Sequence, residues 1–267
     1  MNGKKPPPRY LSWVAPLALL ALLVGAWAFA SVGSGSHSPF FPTVSDFTSS
    51  ATSLLGQGWY WQRVLTTFGE ALLGSLVGAA VAIPCSWLIY KSAVVNAALQ
   101  PFLGATQAIP AVALAPLLVL WVGRGLGAIV FLCALMVFFP ILVSTTVGLR
   151  HLDRDIMDAA ALDGASGFLL IWSIELPLVT PSLLAGVRNG FTLSVTGAVV
   201  GEMVMGGAGL GQQLVQQQHN LDTAGMFVTV FVLCVLAMIA YSLVYFVERR
   251  GKRRVDATVR PGSTSVR

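Results

Sequence analysis

Charge is what this chain has least of. Only 10% of its 267 residues are charged, against about 25% in an ordinary soluble domain. With 55% hydrophobic residues and a mean hydropathy of +0.77, it has too little polar surface to cover a soluble core. A soluble fold is thereby excluded and a membrane protein implied. Cysteine is also scarce: Cys85, Cys133 and Cys234 sit singly inside apolar runs. That spacing supports neither a disulfide framework nor a thiolate metal site. His37, His151 and His219 are scattered and imply no metal. The chain has no GxxxxGK[ST] segment and so no nucleotide-binding loop of its own. It also lacks HExxH and GxSxG, which removes the commonest metallohydrolase and serine-hydrolase readings. No pair of acids within the membrane is apparent that would serve as a proton relay.

Long apolar runs fill the rest. Crossing a bilayer as a helix takes about 20 residues, and six runs qualify: roughly 11–30, 64–90, 101–122, 126–149, 184–204 and 225–247. Continuous runs of this length, without strict alternation, predict helices and not barrel strands. The net charge of +5 does not point to nucleic acid, because the basic residues gather at the ends of the apolar runs. Lys4, Lys5, Arg9, Lys91, Arg150, Arg154 and the basic residues of 249–267 fall on one side of the predicted membrane. Arg63 and Arg124 fall on the other, and Arg188 lies near a predicted span end, from which it would snorkel to the interface. Positive residues stay inside, so both termini and the loops 91–100 and 150–183 are predicted to be cytoplasmic. Lys4, Lys5 and Arg9 ahead of an apolar run ending Ala28-Phe29-Ala30 also fit a cleaved signal. The run exceeds a signal core of about 7–15 residues, and an uncleaved anchor is expected.

The predicted organisation is therefore a cytoplasmic N-terminus (1–10), a first transmembrane helix (11–30), an external loop with scope for a surface helix (31–62), and a five-helix core (63–248). A basic cytoplasmic tail (249–267) follows, expected to be disordered. Within the core, residues 153–165 predict a short solvent-exposed helix. Asp153, Asp155 and Asp158 load its start with negative charge, Ala159, Ala160, Ala161 and Leu162 propagate it, and Gly164 ends it in a left-handed turn. Ile174-Glu175-Leu176-Pro177 follows, with Leu176-Pro177 predicted as a turn ahead of the next span.

The spacing from Asp158-Ala159-Ala160 through Gly164 to Ile174, Leu176 and Pro177 resembles the EAA---G---------I-LP signature of permease subunits of bacterial ABC importers. Further stretches resemble the nitrate/taurine/sulfonate branch of that family: Phe41-Pro42-Thr43-Val44, Thr66 to Gly74, Ala108 to Leu117 with Trp121-Val122-Gly123, and Val200-Gly201-Glu202-Met203 with Gly209-Leu210-Gly211. Together they span about residues 40–248. Asp158 stands where the family has Glu, and Glu70 where it usually has Arg. The resemblance implies an all-α membrane protein of about six transmembrane helices with a cytosolic coupling helix at about 153–165. It implies a multi-pass subunit of the bacterial inner membrane that does no covalent chemistry. The implied partners are a separate ATP-binding subunit that binds the ATP, an extracytoplasmic solute-binding protein, and a second permease subunit, expected as a homodimer. Implied substrates are small solutes such as sulfonates, taurine, nitrate or aromatic vitamin precursors.

Other residues have both functional and structural readings. Glu202, near the end of the fifth span, either lines the path or gate or is held by backbone amides of the Gly206–Gly211 loop. Glu70 has the same two readings, and an acid at an outer mouth disfavours a simple anion. Gln107 and Pro110 interrupt the third span, as a kink or beside a solute site. Thr192, Ser194 and Thr196 suit helix contacts or a polar wall. Gly74 and Gly78 form a G-x-x-x-G packing motif. The alternatives are a stand-alone secondary transporter or channel, whose ion-coupling residues would be Glu70 and Glu202, and a membrane-embedded enzyme, for which no nucleophile–base set is present.

Overall fold

The computed structural model describes residues 22, 25, 27, 41–105 and 111–259, and every described element is helical. In chain order these are α1 (Val44–Leu55), α2 (Gly58–Lys91), α3 (Ala93–Ala105), α4 (Ala111–Val122), α5 (Leu126–Arg150), α6 (Arg154–Leu162), α7 (Gly167–Met205), α8 (Leu210–His219) and α9 (Thr223–Val259). Among the described residues four helices are long and apolar enough to cross a membrane: Gly58–Lys91, Leu126–Arg150, Gly167–Met205 and Thr223–Phe246.

α5 is the central helix, with α2 and α7 packed along its two sides. Close approach is made possible by the G-x-x-x-G of α2. A Cβ at Gly74 would lie 2.1 Å from the Cβ of Cys133, and one at Gly78 would lie 2.6 Å from the carbonyl oxygen of Ala134. The core behind them holds Leu132, Cys133, Val137, Phe191, Val195 and Ala198. Ser194 Oγ donates across the helix interface to the carbonyl of Ala71 at 2.7 Å. Helix contact, not a polar wall, is thus the role of Ser194, whereas Thr196 is exposed and Thr192 bonds within its own helix. Outward-facing Leu65, Leu76, Leu120 and Phe131 leave an apolar girdle of the kind lipid covers.

The predicted boundaries need several corrections. α2 begins at Gly58, ahead of the predicted 63 or 64, because the chain leaves α1 through only Gly56 and Gln57. α1 is the surface helix anticipated in 31–62, and it is closed by a capping box in which Thr43 and Asp46 each accept the other's backbone N–H. The loop expected at 91–100 is helical from Ala93, since Ser92 breaks α2 in an extended conformation and its Oγ accepts from Val95 N. The third predicted span, 101–122, is therefore divided between α3 and α4, and its Gln107 and Pro110 lie outside the described residues, as does most of the first predicted span. Trp27 is described: its ring stacks on Phe227 at 6.1 Å and meets Phe47 edge-on at 5.4 Å, tying it to α9 and α1.

The fifth span shows the largest difference. No turn occurs at Leu176-Pro177. α7 runs from Gly167 to Met205 through one π turn at Ile171–Glu175. The widened turn comes immediately before Pro177, whose ring has no N–H to give an α-helical ladder. Arg188, expected near a span end, consequently lies mid-helix, its guanidinium 5.0 Å from the Tyr241 ring centroid of α9. α9 also continues through most of the basic segment expected to be disordered, reaching Val259. Its Lys and Arg are good helix formers that extend an existing helix.

Candidate functional site at the two ends of the bundle

α2 and α7 run the length of the bundle in opposite directions, so each contributes residues to both ends. At one end α6 projects from the bundle. Asp153 caps it, its carboxylate accepting from Asp155 N at 2.9 Å. The helix ends in a Schellman arrangement, with Ala165 N donating to Ala160 O at 3.0 Å and Gly164 N to Ala161 O at 3.1 Å. Gly164 sits in the left-handed region at φ +84°, which suits glycine. Asp158 and Ala159 point to solvent while Ala160 is buried. Leu162 at the end of α6 and, beyond the turn, Phe168, Leu169 and Trp172 are all exposed, and Phe168 stacks on Trp172 at 6.1 Å. An apolar surface of this size on a polar connector marks a contact site.

Glu175, in the π turn within α7, is fully buried. Trp87 Nε1 of α2 donates to its Oε2 at 2.8 Å, and Lys91 forms an ion pair with its Oε1. Ile174 and Leu176 are half-buried beside it and Pro177 is exposed. The C-terminal end of α2 is thereby fastened to the helix that follows α6. The sequence reading quoted Glu175 only as the variable letter of its motif. Its partners lie 84 and 88 residues away, a distance over which spacing carries no signal.

The opposite end holds a second buried acid. Glu202, near the C-terminal end of α7, is fully buried. Thr67 Oγ1 of α2 donates to its Oε1 at 2.7 Å, and the backbone N–H groups of Gly211 and Gln212 at the start of α8 donate to it as well. Thr67 Oγ1 in turn accepts from Leu210 N at 2.8 Å. The glycines are required here. A Cβ on Gly209 would fall 2.1 Å from Glu202 Oε1 and 2.4 Å from Thr67 Oγ1, and one on Gly211 would fall 2.4 Å from the carbonyl of Val199. Glu202 and Gly209-Leu210-Gly211 thus form one latch between α7, α2 and α8. Of the two roles the sequence offered Glu202, the amide-held one describes this geometry.

Glu70 meets Glu202 at the same place. Its side chain is buried beside the Glu202 carboxyl, and its Oε2 has no hydrogen-bond partner among the described residues. Their neighbourhood was not legible in the sequence, where no acid pair suited to a proton relay was apparent. Glu70 and Glu202 each look like stray span-end acids in the sequence, and only the antiparallel packing of α2 and α7 brings them to one depth.

Above the latch, the N-terminal turns of α2 and the start of α8 flank an open cleft of about 530 Å³, with Trp59, Gln62, Arg63 and Thr66 on one side and Gln212 and Gln216 on the other. Arg63 donates to Gln216 Oε1 at 3.2 Å and to Gly209 O at 3.5 Å, and its guanidinium lies 5.5 Å from the Trp59 ring centroid. Among the described residues no acid lines the cavity.

Known proteins share both the sequence and this helical arrangement. The family described as "Binding-protein-dependent transport system inner membrane component" matches residues 71–253. The riboflavin transport system permease protein RibX of Chloroflexus aurantiacus is 36% identical over 234 residues, covering 88% of this chain and 87% of that protein. The formylaminopyrimidine transport permease protein ThiX of Halalkalibacterium halodurans is 30% identical over 194 residues, covering 73% of this chain and 78% of that protein. An inward-facing structure of the MetNI methionine ABC transporter superposes with a TM-score of 0.64 at 17% identity, over 72% of this chain and 96% of that one, a likeness of fold. The chain belongs to the binding-protein-dependent transport system inner membrane component family and is a permease subunit of an ABC importer.

Proposed function

We propose that this subunit carries a small heteroaromatic solute inward across the bacterial cytoplasmic membrane. The α6 end faces the cytoplasm and rests on an ATP-binding subunit. The α8 end faces outward and receives the solute from an extracytoplasmic binding protein. Two copies of the chain form the path, and both termini are cytoplasmic. ATP is bound and hydrolysed by the partner. The chain itself holds no cofactor and contributes geometry, a path with two access states whose balance the ATPase shifts.

The observation that carries this reading is α6. It is a short, doubly capped helix with exposed apolar neighbours, fixed to the membrane helices through Glu175, Trp87 and Lys91. A push on α6 is therefore passed to α7 directly through the chain and to α2 through the buried ion pair. Asp158, Ala159, Ala160 and Gly164 shape the docking helix, and Ile174, Leu176 and Pro177 lead from it into α7. The heteroaromatic class is taken from the relatives named for riboflavin and formylaminopyrimidine transport.

The test is affinity purification of the full chain from its own membranes. A stoichiometric ATP-binding subunit is expected with the wild-type chain. It is expected to be lost with Asp158→Arg combined with Gly164→Val. Equal recovery with that double variant sinks the docking assignment.

A further inference from the structure

The cavity at the α8 end is a built site, and nothing above gives it an occupant. We propose that it is a solute-receiving subsite for a planar heteroaromatic ring with lactam or imide edges, a reading that rests on the solute class proposed above.

The wall chemistry favours such a ring over an anion. Gln62, Gln212 and Gln216 each carry a carboxamide, which donates through NH2 and accepts through the carbonyl. Alternating donors and acceptors of this kind match the N–H and C=O edges of a pyrimidine or flavin ring. A sulfonate or carboxylate has only acceptors and would use the NH2 groups of these amides but not their carbonyls. Among the described residues Arg63 is the sole cation on the wall, and it donates to neutral oxygens, Gln216 Oε1 and Gly209 O. The carboxyl pair of Glu70 and Glu202 lies one helical turn further in, joined to this wall through Thr67. A negative solute would meet that pair before it met a second cation. Trp59, 41% exposed and backed by the Arg63 guanidinium, offers an indole at the rim for ring contact. A volume near 530 Å³ falls within the range of small-molecule sites, about 300–1,000 Å³.

The position is also suited to regulating passage. Gln212 and Gln216 sit on α8, whose first turn is bound to Glu202. A ring bridging these amides to Gln62 and Trp59 on α2 would tie together the two helices that the latch joins.

The test is equilibrium binding to the purified full chain in lipid nanodiscs, with riboflavin and a formylaminopyrimidine as probes and butanesulfonate as competitor. Riboflavin binding is read by quenching of its fluorescence, and pyrimidine binding by calorimetry. Saturable binding of at least one ring probe is expected, undisturbed by butanesulfonate. Trp59→Ala and Gln216→Leu are each expected to weaken it about ten-fold or more, as loss of a ring contact or an amide pair implies. Gln62→Leu, on the facing wall, provides a second amide variant should Gln216→Leu fail to fold. Absence of saturable binding by either ring overturns the proposal. So does displacement by butanesulfonate, or wild-type affinity in the variants. The same preparations report ATPase association, which depends on the other end. Pocket variants that bind no ring but retain the ATPase bear on the subsite alone, whereas a wild-type chain that recruits no ATPase bears on the importer reading alone.

Discussion

Each end of the bundle buries one fully enclosed glutamate where α2 meets α7, and the two are stabilised by opposite means. Glu175, at the α6 end, is matched by a cation, Lys91, and by the indole N–H of Trp87. Glu202, at the α8 end, is matched by neutral donors, Thr67 and the first amides of α8, and faces a second acid, Glu70. An ion pair with a half-exposed lysine tolerates small shifts, because charge attraction falls off slowly with distance. A carboxyl held by three or four directed hydrogen bonds does not, because those weaken steeply with angle. The α6 end therefore has a forgiving joint suited to transmitting a push. The α8 end has a geometrically strict latch suited to two discrete states, closed or broken.

The largest effect on this comparison is expected from Glu202→Leu. It leaves the N–H groups of Gly211 and Gln212 and the Thr67 hydroxyl buried without their acceptor. Each buried donor left unsatisfied costs about 1–3 kcal/mol. Thermal unfolding in detergent is expected to drop steeply, and Gly209→Val is expected to do the same by steric overlap. At the other end, Lys91→Met leaves Glu175 with Trp87 alone. A cost of about 1–3 kcal/mol is expected, towards the lower figure because Lys91 is 44% exposed and water compensates in part. If Lys91→Met proves as damaging as Glu202→Leu, the distinction between joint and latch fails.

A smaller change tests the docking helix. Gly164→Ala places a Cβ at φ +84° and is expected to cost about 1–2 kcal/mol. The loss is expected in ATPase affinity, measured by titrating the purified ATP-binding subunit, more than in overall stability, because α6 is largely solvent-exposed. The smallest effect is expected from Glu70→Gln. The amide keeps the size of the side chain and can donate to Glu202, so stability is expected to change by less than about 1 kcal/mol. A fall as large as that of Glu202→Leu would show that Glu70 contributes more than a hydrogen bond to its neighbour.

Much of the α6 end was legible in the sequence because its determinants are local. An acidic start, an alanine run and Gly164 lie within a dozen residues, and helix capping operates over that range. The G-x-x-x-G of α2 and the span now seen as α5 were legible for the same reason. The amide-held reading of Glu202 was available because its donors lie nine and ten residues away. What the sequence could not supply were partners on other helices: Glu70 with Glu202, and Lys91 and Trp87 with Glu175. The continuous helix through Pro177 was hidden for a different reason. Proline is read locally as a break, and only the π turn before it, fixed by the burial of Glu175, lets the helix continue. Arg188 moved from span end to mid-helix as a direct result.

The central claim is that the two ends face opposite compartments, α6 towards the ATPase and the cavity beside α8 towards the arriving solute. Labelling with a membrane-impermeant maleimide tests this most directly, in a chain whose own three cysteines are replaced by alanine. Gln216→Cys is expected to label in intact cells and Leu162→Cys is not. In inside-out vesicles the pattern is expected to reverse, with Leu162→Cys protected when the ATP-binding subunit is present. Labelling of Leu162→Cys from outside intact cells would contradict the account.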